Sequence, residues 1–222
     1  MKTLIKRYNA FLPTWYKWCV LLLAPVAIVV LSGLLAETFY AHVVCVMGLM
    51  LIMIIEMTAD YTVFGGICSK NSIKLDYLKS SFYGNKLLFA VIGMDMARKC
   101  MWLFVVIFAE WFMVVTKTGQ VYSIQEALFT LSLSLFAYSV VSLSSNILRY
   151  IDGMQLYLMI DYLICSLAVV AGTVFIMDHH IKAIKDYQYI IILIVMTALA
   201  VIVSLFTYWH MKMRIERSYR DE

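Results

Sequence analysis

Acids and bases inside otherwise apolar runs come first, because a charge in hydrocarbon is costly and is retained for a reason. Four such residues stand out: His42, Glu56, Glu110 and Asp161. Glu110 falls about midway along the apolar stretch 101–116, and Asp161 in the inner half of the stretch 155–177. Two readings stay open for this pair. The acids line a polar translocation path or a proton relay, or each lies near an interface, snorkels, or bonds to a neighbouring helix. For His42 and Glu56, at opposite ends of the stretch 39–57, the second reading is preferred.

A hydroxyl series runs along the stretch 124–148. Ser134, Tyr138, Ser142, Ser145 and Arg149 follow helical spacing and end in a cation. Small hydroxyl residues let helices approach and bond across their interface, so helix packing is the preferred reading over a substrate-facing wall. Asp178, His179 and His180 sit together near an outer turn, but adjacent residues on a short loop do not complete a metal site. The five cysteines (Cys19, Cys45, Cys68, Cys100, Cys165) form no Cys-x-x-Cys pair and read as small buried hydrophobes. The fifteen methionines suit an adaptable apolar surface, and equally suit ordinary membrane filling. No His-Glu-x-x-His, no Gly-x-Ser-x-Gly and no spaced Ser, His and acid set is present. An intramembrane enzyme therefore has no positive support, and no catalytic or metal-ligating residue is assigned.

The elements that position these residues follow from composition. The chain has 222 residues, 64% hydrophobic and 14% charged, with a mean hydropathy of +0.86. Soluble chains carry about 45–50% apolar and about 25% charged residues. The apolar runs are continuous rather than alternating, which argues for helices and against a barrel. The expected fold is all-α and polytopic. A single transmembrane domain has six spans, at about 19–35, 39–57, 101–116, 124–148, 155–177 and 187–208. Pro25 should kink the first. Residues 1–17 do not read as a signal peptide. Leu4, Tyr8, Phe11 and Trp15 recur at helical spacing among Lys2, Lys6, Arg7 and Lys17, so this segment reads as an interfacial amphipathic helix bent near Pro13.

With six spans, fifteen Lys and Arg fall on the side of both termini and three on the other. The positive-inside rule then puts both termini in the cytoplasm of a cell-membrane protein. The net charge of +4 flanks membrane spans and does not suggest nucleic acid.

The polar interval 60–99 is the one long interruption and holds six of the eighteen Lys and Arg residues. Within it, Leu75, Leu78 and Phe82 share one face of a short helix, with Asp76 and Lys79 on other faces. Asn71 or Ser72 caps its start, and Gly84 with Asn85 ends it. A second amphipathic segment, Leu87 to Met96, leads into the third span. The ridge either packs on its own bundle or fits a groove on another protein.

The Phe-Gly-Gly turn at 64–66, the Leu-Asp-Tyr-Leu-Lys-Ser-Ser segment that follows and the small-residue turn before the third span resemble the permease subunits of type-2 ATP-binding-cassette exporters. Six spans, cytoplasmic termini and an N-terminal interfacial helix match that layout. The resemblance implies a coupling helix over 72–82, carried by Ser72, Leu75, Asp76, Leu78, Lys79 and Phe82, that docks on an ATPase subunit. Many members have Leu-Pro-x-Ser after this helix, whereas Phe82-Tyr83-Gly84-Asn85 stands here. The chain has no Gly-x-x-x-x-Gly-Lys-Ser/Thr loop to cradle phosphates. The resemblance therefore implies no cofactor in this chain, ATP and Mg on a separate partner subunit, and a second permease copy. It also implies export of an amphipathic peptide or lipid-like cargo. The competing reading is a gradient-driven secondary transporter or channel using Glu110 and Asp161. Against it, the two halves show no internal repeat.

Overall fold

The computed structural model describes residues 12–24, 26–27, 30, 38–62, 84–118, 124–148, 151, 153–181 and 186–217. Among these residues the chain is all-helical, with no strand. The helices are α1 (Thr14–Trp18), α2 (Thr38–Asp60), α3 (Gly84–Thr118), α4 (Ile124–Leu148), α5 (Met154–Ile181) and α6 (Asp186–Arg217), and α1 runs into a π-helical turn over Cys19–Leu23. Pro13 precedes α1 in an extended conformation (φ −63°, ψ 147°), so the bend expected there is a helix start. A proline suits this place, since the first turn has no partner for its missing N–H.

Among the described residues, three helices are long and apolar enough to cross a membrane: Ala127–Leu148, Met154–Val174 and Tyr187–Met213. They fit a membrane protein. Of the other expected spans, 19–35 is described only in pieces, while 39–57 and 101–116 fall on α2 and α3.

The helices do not stop where the apolar runs stop. With 35 residues, α3 is about 52 Å long, well beyond the roughly 30 Å of a hydrocarbon core. Its first turns, from Gly84 on, belong to the polar interval, which is therefore helical in its last part. The 32 residues of α6 likewise carry the expected charged tail as helix as far as Arg217. Asp178, His179 and His180, expected on a loop, fall in the last turns of α5.

At the centre stands α4, with 56% of its span buried against 28% for α5 and 17% for α6. It packs along α6 and also touches α2, α3 and α5, while α2 packs on α5. Met53, Met57, Leu103, Val141, Tyr157 and Cys165 form the heart of this core. A second cluster ties Leu12, Tyr16 and Val20 to Ala59, Val91, Ile92 and Met211, so the N-terminal segment is packed onto α2, α3 and α6. Four hydroxyls of α4 are satisfied within the helix: Ser132, Ser134, Ser139 and Ser144 each donate to the carbonyl four residues earlier. Before α5, Gly153 takes φ +113°, which side chains with a Cβ rarely adopt, and its carbonyl accepts from the Tyr157 N–H at 3.1 Å.

Candidate functional site

Two residues one turn apart begin the site. The spacing of four puts Glu56 and Asp60 on one face of α2, near its C-terminal end. On α3, Asp95 stands three residues before Arg98 and four before Lys99, so all three also share a face. Packing α2 against α3 brings the two sets together. Arg98 Nη1 stands 2.8 Å from Glu56 Oε2, and Arg98 Nη2 2.9 Å from Asp95 Oδ1. Lys99 Nζ pairs with Asp60 Oδ1 and lies 3.0 Å from Asp95 Oδ2. From α1, the Tyr16 hydroxyl donates to Glu56 Oε1 and accepts from Arg98, whose guanidinium lies 4.7 Å from the centre of the Tyr16 ring.

Glu56, Asp60, Asp95 and Lys99 are all at most 1% exposed. Charges buried this deeply persist only when paired and hydrogen-bonded. Here each cation is shared between acids on two helices, and the group ties α1, α2 and α3 at one level. It holds the two helices that flank residues 63–83. Beyond Asp95, the first turns of α3 extend about 17 Å toward that segment. The end of α2 is closed locally: the Thr62 hydroxyl donates to the Ala59 carbonyl at 2.8 Å.

A second polar group lies along α4 and α6. Tyr138 and Ser204 hydroxyls are 2.8 Å apart. Asn146 Oδ1 accepts from His210 Nδ1 at 3.1 Å, and the His210 ring stacks on Phe206 at 5.7 Å. Between these rungs, the Ser142 and Thr207 hydroxyls are buried without a hydrogen-bond partner among the described residues, as are the Ser145 hydroxyl and the Asn146 amide nitrogen.

A third group sits where α2, α4 and α5 meet. Asp161 is fully buried, and one carboxylate oxygen accepts the Cys165 thiol at 3.3 Å while the other has no hydrogen-bond partner among the described residues. Tyr157 donates to the Met57 carbonyl at 2.5 Å, and its ring packs on Tyr61 at 4.4 Å.

The sequence-derived candidates are placed unevenly. Ser134 donates within α4, Tyr138 bonds across to α6, and Ser142 and Ser145 are buried and unbonded. Glu56 does not snorkel: it is buried and bonded to two neighbouring helices. Glu110 and His42 fall on α3 and α2, but their side chains lie outside the described residues. The coupling-helix residues Ser72, Leu75, Asp76, Leu78, Lys79 and Phe82 also lie outside them, as does the kink expected at Pro25. The ionic group was missed by sequence reasoning, which counted Arg98 and Lys99 as loop charges. The four-residue spacings of Glu56 with Asp60 and Asp95 with Lys99, at the edges of apolar runs, were the signal.

Among the described residues, no three His, Cys, Asp or Glu side chains are grouped to hold a metal. No family model matches the chain, and no curated protein or solved structure matches it.

Proposed function

We propose that the chain is the transmembrane permease subunit of an ATP-driven exporter, with six spans and both termini in the cytoplasm. It works with a separate ATP-binding-cassette ATPase subunit and a second permease copy, and it moves an amphipathic peptide or lipid-like cargo outward. The observation that carries this reading is the ionic joint of Tyr16, Glu56, Asp60, Asp95, Arg98 and Lys99. A motor pressing on residues 63–83 needs a stiff path into the bundle. A joint that locks α2 to α3, with α1 attached, supplies one: displacement of the segment moves both helices together. ATP binding draws two ATPase subunits together, the segments follow, and the two bundles rock. The cargo class rests on the apolar, aromatic and Met-rich composition and on the absence of long external segments in the six-span arrangement.

Purification from native membranes in mild detergent, with mass spectrometry of co-eluting proteins, tests the reading. The expected result is a stoichiometric soluble protein with a phosphate-binding loop, lost in a Leu75→Asp, Leu78→Asp variant that still folds. A chain that elutes alone with nucleotide present overturns it.

One observation favours a second reading. Asp161 is buried with an unbonded oxygen, as expected of an acid that binds or relays a cation in a gradient-driven transporter. That reading requires ion-gradient dependence that vanishes in Glu110→Gln or Asp161→Asn.

A further inference from the structure

Met57 and Cys165 present two sulfurs to each other at the junction of α2, α4 and α5, and neither side chain is exposed. Cys165 Sγ lies 4.0 Å from Met57 Sδ. The Ser144 hydroxyl also reaches the thioether sulfur, at 3.3 Å. The Tyr157 hydroxyl holds the Met57 backbone from α5. Asp161 adds a fully buried carboxylate that accepts the Cys165 thiol through one oxygen and leaves the other unbonded. Among the described residues no Lys or Arg pairs with it.

The donor set is soft. Thiol and thioether sulfur select Cu(I) and similar ions over the hard cations that carboxylates and carbonyls hold. Metal–thiolate bonds are about 2.3 Å, so one ion bridging two sulfurs at the observed spacing subtends an angle of about 120°. Charge points the same way. A carboxylate buried without a counter-charge is strongly disfavoured. A monovalent ion brings the group to neutrality with the thiol proton kept at the site, whereas a divalent ion does so only if that proton leaves the buried core. We propose that Met57, Cys165 and Asp161 form a site for a single soft monovalent metal ion, Cu(I) or Ag(I). On binding, the S–H bond of Cys165 breaks and a sulfur–metal bond forms. The thiol proton passes to Asp161 Oδ1, which already accepts it, and no electron is transferred. Met57 supplies the second sulfur. The site uses none of the coupling residues and stands or falls apart from the exporter reading.

The test uses the full chain in mild detergent under reductant, with Cys19, Cys45, Cys68 and Cys100 changed to Ser so that Cys165 is the only thiol. Ag(I) or Zn(II) is added, excess is removed by gel filtration, and retained metal is counted by mass spectrometry alongside the unfolding temperature. Expected are one Ag(I) per chain, a raised unfolding temperature and no retained Zn(II). Cys165→Ser should abolish retention. Met57→Leu, which keeps the volume, should weaken it by more than about ten-fold, the least that losing even an outer-sphere partner costs a metal site. If Cys165→Ser does not fold, Met57→Leu and the comparison of Ag(I) with Zn(II) decide. Failure to retain Ag(I), or equal affinity in Met57→Leu (a plain thiol adduct), overturns the proposal.

Discussion

The ionic joint of α1, α2 and α3 and the neutral seam between α4 and α6 are both polar and buried, yet they are completed differently. In the joint, each carboxylate and each cation has an opposite charge within ion-pair distance. In the seam, bonded rungs alternate with hydroxyls that have no partner. The physics of the two groups explains why. An unpaired buried charge costs several kcal/mol, while an unbonded hydroxyl costs about 1–3 kcal/mol. A fold can leave the second kind in place, where it can slide, hydrate or meet a polar solute. It cannot leave the first. The joint is therefore a fixed point and the seam an interface that can rearrange.

The largest expected effect comes from breaking the joint on one side. Arg98→Met leaves Glu56 buried without its guanidinium and Asp95 with Lys99 alone, and should destabilise the bundle by about 3–5 kcal/mol, read by unfolding in detergent. Lys99→Met should act similarly by taking the paired cation from Asp60. A loss below about 1 kcal/mol in both would mean that the acids are not held by these cations.

Removing both partners sharpens the point. In Asp60→Asn with Lys99→Met, no bare charge remains, so the double variant should be more stable than Lys99→Met alone. A double-mutant cycle should give a coupling of about 1–3 kcal/mol, since the pair is in direct contact. Additive losses would show that the two side chains act separately. The same cycle between Asp60 and Ser142, on opposite regions, should be additive within about 0.5 kcal/mol.

These contrasts mark what could be read from the chain. The stretch 124–148 coincides with α4 because turn-forming residues (Gly119, Ser123) precede it and Arg149 follows. The stretches 101–116 and 187–208 fell short of α3 and α6 because apolarity ends where hydrocarbon ends, whereas a helix continues while its residues favour it. Ala97, Arg98 and Lys99 are good helix formers, as are Met211, Lys212 and Met213. The joint was not legible in the same way. Glu56 and Arg98 are far apart in the chain, and no spacing rule shows which helix faces which. Within each helix, the pairs of acids and bases at three and four residues were visible. Only the packing of α2 on α3 turns them into one group. Tyr16 belongs to the segment 1–17 expected at the membrane interface, and its hydroxyl sits inside the joint.

In the seam, the bonded rung should be the weaker counterpart of an ion pair. Tyr138→Phe removes the hydroxyl that meets Ser204 and should cost about 1 kcal/mol, the usual net value of a neutral hydrogen bond. An effect as large as that of Arg98→Met would erase the distinction between the regions.

The smallest expected effect is the most informative about use. Ser142→Ala and Thr207→Val remove buried hydroxyls that bond to nothing among the described residues, and both replacements keep the shape nearly intact. A structural hydroxyl of this kind is lost at no cost, so stability should stay within about 0.5 kcal/mol or rise. If the chain is the proposed permease, transport separates two outcomes that stability cannot. If α4 and α6 slide past one another in the working cycle, or if cargo passes along the seam, the two variants should lower transport while the unfolding temperature holds or increases. That combination arises only when a polar group serves a state other than the resting one. Unchanged transport in both variants would assign the seam to packing alone.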